Sequence, residues 1–141
     1  MSRKALLPVS LALVLFAVVL FGPAVCTLYK IENHPPQIET LYQATADGEA
    51  PEKVVYEIPG TFRRDYRHLD LEIEAQDSRT MGCLVDYYLA NGEKISSSFR
   101  ESSSFYRFTI PSDHIKTIQR IEISELENIS SITLWNTFIY P

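Results

Sequence analysis

Asp70, Glu72 and Glu74 recur at every second position of the segment His68–Gln76. On an extended chain they share one face about 6.6 Å apart, a separation at which carboxylates can attack a glycosidic bond or help hold calcium. A solvated outer strand face produces the same pattern, and that is the expectation. The run Phe62-Arg63-Arg64-Asp65-Tyr66-Arg67-His68 gathers basic charge in an otherwise acidic region. Arg63, Arg64 and Arg67 could receive a carboxylate or phosphate from a sugar, lipid or protein, because a guanidinium donates a planar pair of hydrogen bonds. The plainer alternative is a charged loop neutralised by neighbouring acids.

The aromatic residues carry a sharper possibility. Alternation in Ser131–Tyr140 puts Ile132, Leu134, Phe138 and Tyr140 on one face. Thr133, Trp135, Thr137 and Ile139 take the other. If the first face is core, the only tryptophan of the chain stands outside between two threonines. Tyr87 and Tyr88 must likewise point opposite ways, so one of them faces outward. Flat rings beside Thr, Asn and Arg suit sugar stacking, although a central strand of a sandwich can bury both faces. Trp135, Tyr88, Arg63, Arg64 and Arg67 are therefore the candidate ligand-binding residues.

Signatures of catalysis are missing from the sequence. It has no Gly-x-Ser-x-Gly elbow, Walker loop, Rossmann glycine fingerprint, His-Glu-x-x-His or Cys-x-x-Cys. His34, His68 and His114 have no histidine partner at metal-ligand spacing. The serines at 96–98 and 102–104 have no adjacent base to activate them. Neither a cofactor nor a metal is expected, and the reading is non-catalytic.

Positioning these residues falls to strands. Period-two alternation and β-branched content predict strands at Lys53–Ile58, His68–Gln76, Gly82–Leu89, Lys94–Arg100, Ser104–Ile110, Thr117–Ser124 and Ser131–Tyr140. Asn91-Gly92 reads as a two-residue hairpin, since both residues tolerate positive φ. Ile38-Glu39-Thr40-Leu41-Tyr42 could dock as an extra strand or a short helix. Seven strands in about 90 residues imply a single antiparallel β-sandwich, an all-β class. Three blocks follow: residues 1–26 as membrane anchor or uncleaved signal, 27–52 as an extracytoplasmic stalk, and 53–141 as the sandwich. Cys83 reads as a buried small hydrophobe, and a Cys26–Cys83 disulfide is not expected. Asn128-Ile129-Ser130 is a glycosylation sequon if the host is eukaryotic.

The strand pattern resembles jelly-roll and galactose-binding-like β-sandwiches. The likeness lies in the entry Tyr66-Arg67-His68-Leu69-Asp70-Leu71-Glu72-Ile73, the strand Phe105–Pro111, and the closing alternations Ile118-x-x-Ile121-x-Ile123 and Ile132–Tyr140. It covers roughly residues 53–141 and implies the fold more than an activity.

The N-terminus sets the location. Arg3 and Lys4 precede an uncharged run, residues 5–25, that reaches roughly 31 Å as a helix, the thickness of a hydrocarbon core. An uncleaved anchor, a cleaved signal and a lipidated Cys26 are the three readings, and all place the rest of the chain outside the cytoplasm. Of the 13 Lys and Arg, two precede that run, which leaves 11 against 18 acids and a charge of −7 beyond it. Nucleic acid is an unsuitable partner for such a surface. The expectation is a membrane-tethered extracytoplasmic binding module, carbohydrate-recognising, with a structural accessory subunit of a larger membrane complex as the alternative. Its partner would be a glycan or another extracytoplasmic protein.

Overall fold

The computed structural model describes residues 12–26 and 34–138. The chain forms two compact units, Met1–Pro35 and Pro36–Pro141. In the first, a helix covers residues 12–26. Its length is about 22 Å at 1.5 Å per residue, short of a bilayer core. Among the described residues no helix is long and apolar enough to cross a membrane. The remainder of the expected span, residues 5–11, lies outside the described residues, as do Arg3, Lys4, the stalk residues 27–33, Ile139 and Tyr140.

Among its described residues the second unit holds eight strands: β1 (Gln37–Gln43), β2 (Lys53–Glu57), β3 (His68–Ala75), β4 (Met81–Leu89), β5 (Lys94–Glu101), β6 (Phe105–Ile110), β7 (Ile118–Glu127) and β8 (Ile129–Thr137). They form two four-stranded sheets, ordered β1-β8-β3-β6 and β2-β7-β4-β5, and every pairing is antiparallel. The partners nest as β4 with β5, β3 with β6, β2 with β7 and β1 with β8, a long hairpin rolled into two sheets. This is the jelly-roll arrangement. One more strand is present than the seven expected: β1 lies in the stretch read as stalk and is paired along β8.

At the centre of the rolled hairpin the turn differs from the two-residue expectation. Leu89 N–H donates to Glu93 C=O at 2.9 Å, and Gly92 N–H donates to Leu89 C=O at 3.0 Å. The loop is thus Ala90-Asn91-Gly92, and only Gly92, at φ 85°, is left-handed. Asn91 contributes through its side chain instead, accepting from Glu93 N–H at 2.9 Å.

Between the sheets, alternation delivers one apolar set from each strand. Leu69, Leu71 and Ile73 of β3 and Ile132 and Leu134 of β8 meet Cys83, Val85 and Tyr87 of β4 and Ile121 and Ile123 of β7. Among the described residues eighteen apolar side chains are buried, which is where the unit gains its stability. Tyr87 closes one end: its hydroxyl lies 2.8 Å from His114 Nδ1. That histidine lies in the turn before β7, is partly buried and packs ring to ring with Tyr87 at 5.7 Å.

Candidate functional site

Register fixes which side chains share the outer face of the β1-β8-β3-β6 sheet. Leu134 and Leu71 are opposite one another and buried, so their neighbours in sequence point outward. One cross-strand row runs Ile38, Trp135, Asp70, Thr109. The next runs Thr40, Thr133, Glu72, Arg107, and a third holds Ser131, Glu74 and Phe105. The three acids thus stand on one face as the alternation requires, but the face is not uniformly solvated. Asp70 is only 3% exposed.

Each carboxylate is taken by a different neighbour. Thr109 Oγ1 donates to Asp70 Oδ1 at 2.6 Å, Arg107 Nη2 to Glu72 Oε1 at 2.6 Å, and Ser131 Oγ to Glu74 Oε2 at 3.1 Å. A hydrogen-bonded ladder results, with the acids spread along it rather than converging. At its ends, Ile38 and Phe105 leave apolar surface open, 48% and 41% exposed.

Trp135 lies in the middle of this face and is half-buried. Its Nε1 is shielded from water and has no hydrogen-bond partner. A shielded donor without an acceptor costs about 1–3 kcal/mol, so its retention calls for a reason.

Tyr88 occupies the opposite outer face, on the β2-β7-β4-β5 sheet. Its row is Glu57, Arg120, Tyr88, Lys94, and the adjacent row is Val55, Glu122, Asp86, Ser96. The Arg120 guanidinium lies 4.3 Å from the Tyr88 ring centroid, and Lys94 Nζ lies 5.9 Å from it. The Tyr88 hydroxyl donates to Glu122 Oε2 at 3.3 Å. Lys53 and Arg120 bind the same carboxylate at 3.0 and 3.1 Å. The Lys53 hydrogen bond, ahead of the other contacts, holds Glu122 below the usual carboxylate range. Burial pushes Asp86 up, but hydrogen bonds from Ser96 and Lys94 and the charges of Lys94 and Lys53 outweigh it, so Asp86 also lies low. The ring of Tyr88 is already engaged by cations, and this face is a closed network of ion pairs.

Trp135 and Tyr88 are therefore not brought together, and the arginines join neither. Arg63 pairs with Asp65 at 3.2 Å and lies over the Tyr66 ring. Arg64 Nη1 donates to the carbonyls of Ile115, Lys116 and Ile118 at 3.2, 3.2 and 2.9 Å. Arg67 sits over the Phe138 ring at 4.9 Å. The basic cluster clamps loops onto the sandwich. Ile38, absent from the sequence-derived candidates, stands beside Trp135; a register shift after Thr40 turns Tyr42 to the inner side, so strict alternation along β1 would not have found this face.

No protein-family model matches the chain, and no curated protein matches its sequence. Among solved structures, the chain is similar to the family 11 carbohydrate-binding module from Clostridium thermocellum, determined in complex with a β-1,3-1,4-mixed-linked tetrasaccharide. The identity is 13% and the TM-score 0.35, over 74% of this chain and 81% of that one. The jelly-roll assignment rests on the strand pairing described above.

Proposed function

We propose that this chain is a non-catalytic module that recognises glycans through the outer face of the β1-β8-β3-β6 sheet, centred on Trp135. The observation that carries this reading is the state of that residue: a half-buried indole whose N–H has no partner, set among Thr40, Thr133, Asp70 and Arg107. A sugar ring offers apolar C–H groups to the indole and hydroxyls to the threonines and to the Arg107–Glu72 pair. Separate partners on Asp70, Glu72 and Glu74 favour positioning over acid–base chemistry.

The apolar helix supports a membrane tether, with the sandwich on the extracytoplasmic side. Leu13, Val14, Phe16, Val18, Val19 and Phe21 are all 60% exposed or more, on every side of the helix. A helix apolar all round belongs in lipid or against other apolar helices. The second of those settings is the accessory-subunit reading.

Since Trp135 is the only tryptophan, its fluorescence reports this face alone. Titration with soluble oligosaccharides should give a saturable shift, and Trp135→Ala should weaken binding, measured by calorimetry, by about tenfold or more. An emission spectrum unmoved by a broad panel of neutral and acidic glycans would overturn the glycan reading. Loss of a fixed-stoichiometry partner when residues 1–26 are replaced by a cleavable signal would favour the accessory subunit.

A further inference from the structure

The two open edges of the sandwich are closed differently. Where β5 and β6 meet, Phe99 and Tyr106 stack with ring centroids 4.0 Å apart and planes 16° from parallel. Where β1 and β2 meet, the inward positions in the first half of β1 are Gln37 and Glu39, opposite Asn136 and Leu134. A cleft of about 320 Å³ opens there, with buried Phe62 and Leu134 among its walls and Tyr56 of β2 facing in from the other sheet.

Hydrogen bonding in this cleft is one-sided. Gln37 Nε2 donates to Thr61 C=O at 3.0 Å, and Arg63 N–H donates to Gln37 Oε1 at 2.7 Å. Asn136 Nδ2 donates to that same Gln37 oxygen at 2.9 Å and to Arg63 C=O at 3.0 Å. Both groups facing Nδ2 are acceptors, which settles the orientation of the Asn136 amide and leaves its oxygen on the other side. Asn136 is fully buried, and its Oδ1 has no partner. The Glu39 carboxylate stands exposed at the mouth. Burial, followed by that carboxylate's charge, raises the Tyr56 phenol above its ordinary range. Both Asn136 Nδ2 hydrogens are used while its Oδ1 is not, and Gln37 Nε2 keeps one hydrogen beyond its bond to Thr61.

We propose that this cleft binds a primary ammonium group on a short aliphatic or sugar frame, with Asn136 Oδ1 and the Glu39 carboxylate as its acceptors. An ammonium has three donors and no acceptor, the complement of an unpartnered amide oxygen beside an exposed carboxylate. The Tyr56 ring adds a π-face, and the net charge of −7 beyond the N-terminal segment raises the local concentration of cations. A carboxylate would be repelled by Glu39 and would find both Asn136 Nδ2 hydrogens occupied.

The test is a titration of the full-length chain in detergent with n-butylammonium, followed by 15N NMR of the Asn136 and Gln37 side-chain amides, with n-butanol as neutral isostere. Saturable shifts with the amine and none with the alcohol are expected. Glu39→Gln, at an exposed position, should weaken binding about 3- to 10-fold. Asn136→Leu should abolish it, and Glu39→Gln keeps the test decisive should that buried variant not fold. Glucosamine in competition separates the sources: displacement assigns the site to an amino sugar, its absence to an aliphatic amine. An equal response to butanol, no response to butylammonium, or an affinity unchanged in Glu39→Gln overturns the proposal.

Discussion

Trp135 and Asn136 are consecutive on β8 and project to opposite sides of one sheet, and each holds a polar atom shielded from water without a partner. The indole belongs to a side chain of the outer face, and the amide oxygen to one that lines the edge cleft. Because a strand alternates, one dipeptide supplies both candidate sites.

Asn136 also holds the fold together, since its Nδ2 ties Gln37 of β1 to the Arg63 carbonyl. Asn136→Ala should destabilise the sandwich by about 2–4 kcal/mol, because it opens a cavity and orphans that carbonyl. Chemical denaturation measures it. A cost below about 1 kcal/mol would mean the bridge contributes little.

Arg64 is expected to matter for stability and not for glycans. Lysine cannot reproduce the reach of one guanidinium nitrogen to the Ile115, Lys116 and Ile118 carbonyls. Arg64→Lys should lower the midpoint of thermal unfolding by several degrees, equivalent to about 1–3 kcal/mol. Glycan affinity, measured on folded protein, should stay at the parental value.

Asn128 links β7 to β8 in a left-handed conformation, φ 54°, and its Nδ2 donates to the carbonyls of Asp77 and Arg79 at 3.3 and 2.8 Å. Asn128→Gly keeps the conformation and loses only the hydrogen bonds, whereas Asn128→Ala loses both. Unfolding free energies should therefore rank parent, Gly, Ala, with Ala lowest by about 2–3 kcal/mol. The same contacts occupy the nitrogen that glycosylation of this sequon requires. In a eukaryotic host, mass spectrometry should find the site largely unmodified once the sandwich has folded.

Cys83 is buried, and that burial pushes its thiol up to about 12 from an ordinary 9.0. Between those values the folded chain keeps a proton that the unfolded chain has lost. Cys83 should therefore leave stability unchanged below about pH 9 and reduce it as pH rises from there toward 12. At pH 8 a maleimide should label exposed Cys26 and spare Cys83 until denaturant is added. Rapid double labelling of native protein would contradict the burial.

Strand content was legible because a half-buried strand must alternate. Leu69, Leu71 and Ile73 against Asp70, Glu72 and Glu74 needed no structure to be read as two faces of β3. β1 was harder: Pro35-Pro36 and the polar residues around it resemble a linker, and its first inward positions are Gln37 and Glu39, with Leu41 and Tyr42 reaching the core only at its far end. Its place in the sheet comes from pairing along β8, a contact between residues nearly a hundred positions apart. Asn136 left a trace of its own, a lone polar residue in the inward series with Ile132 and Leu134.

By itself, then, the sequence determined the all-β class, the face each residue takes relative to its neighbours, and an apolar N-terminal segment. These are local properties, set by a period of two and by unbroken hydrophobicity. Which sheet a strand joins, and at what register, was decided only in three dimensions. That step separated Trp135 from Tyr88, spent the three arginines on loops and rings, and buried Asp70 while leaving Glu74 exposed. Alternation tells a residue only which way it points; what lies beside and above it is supplied by strands far away in the chain.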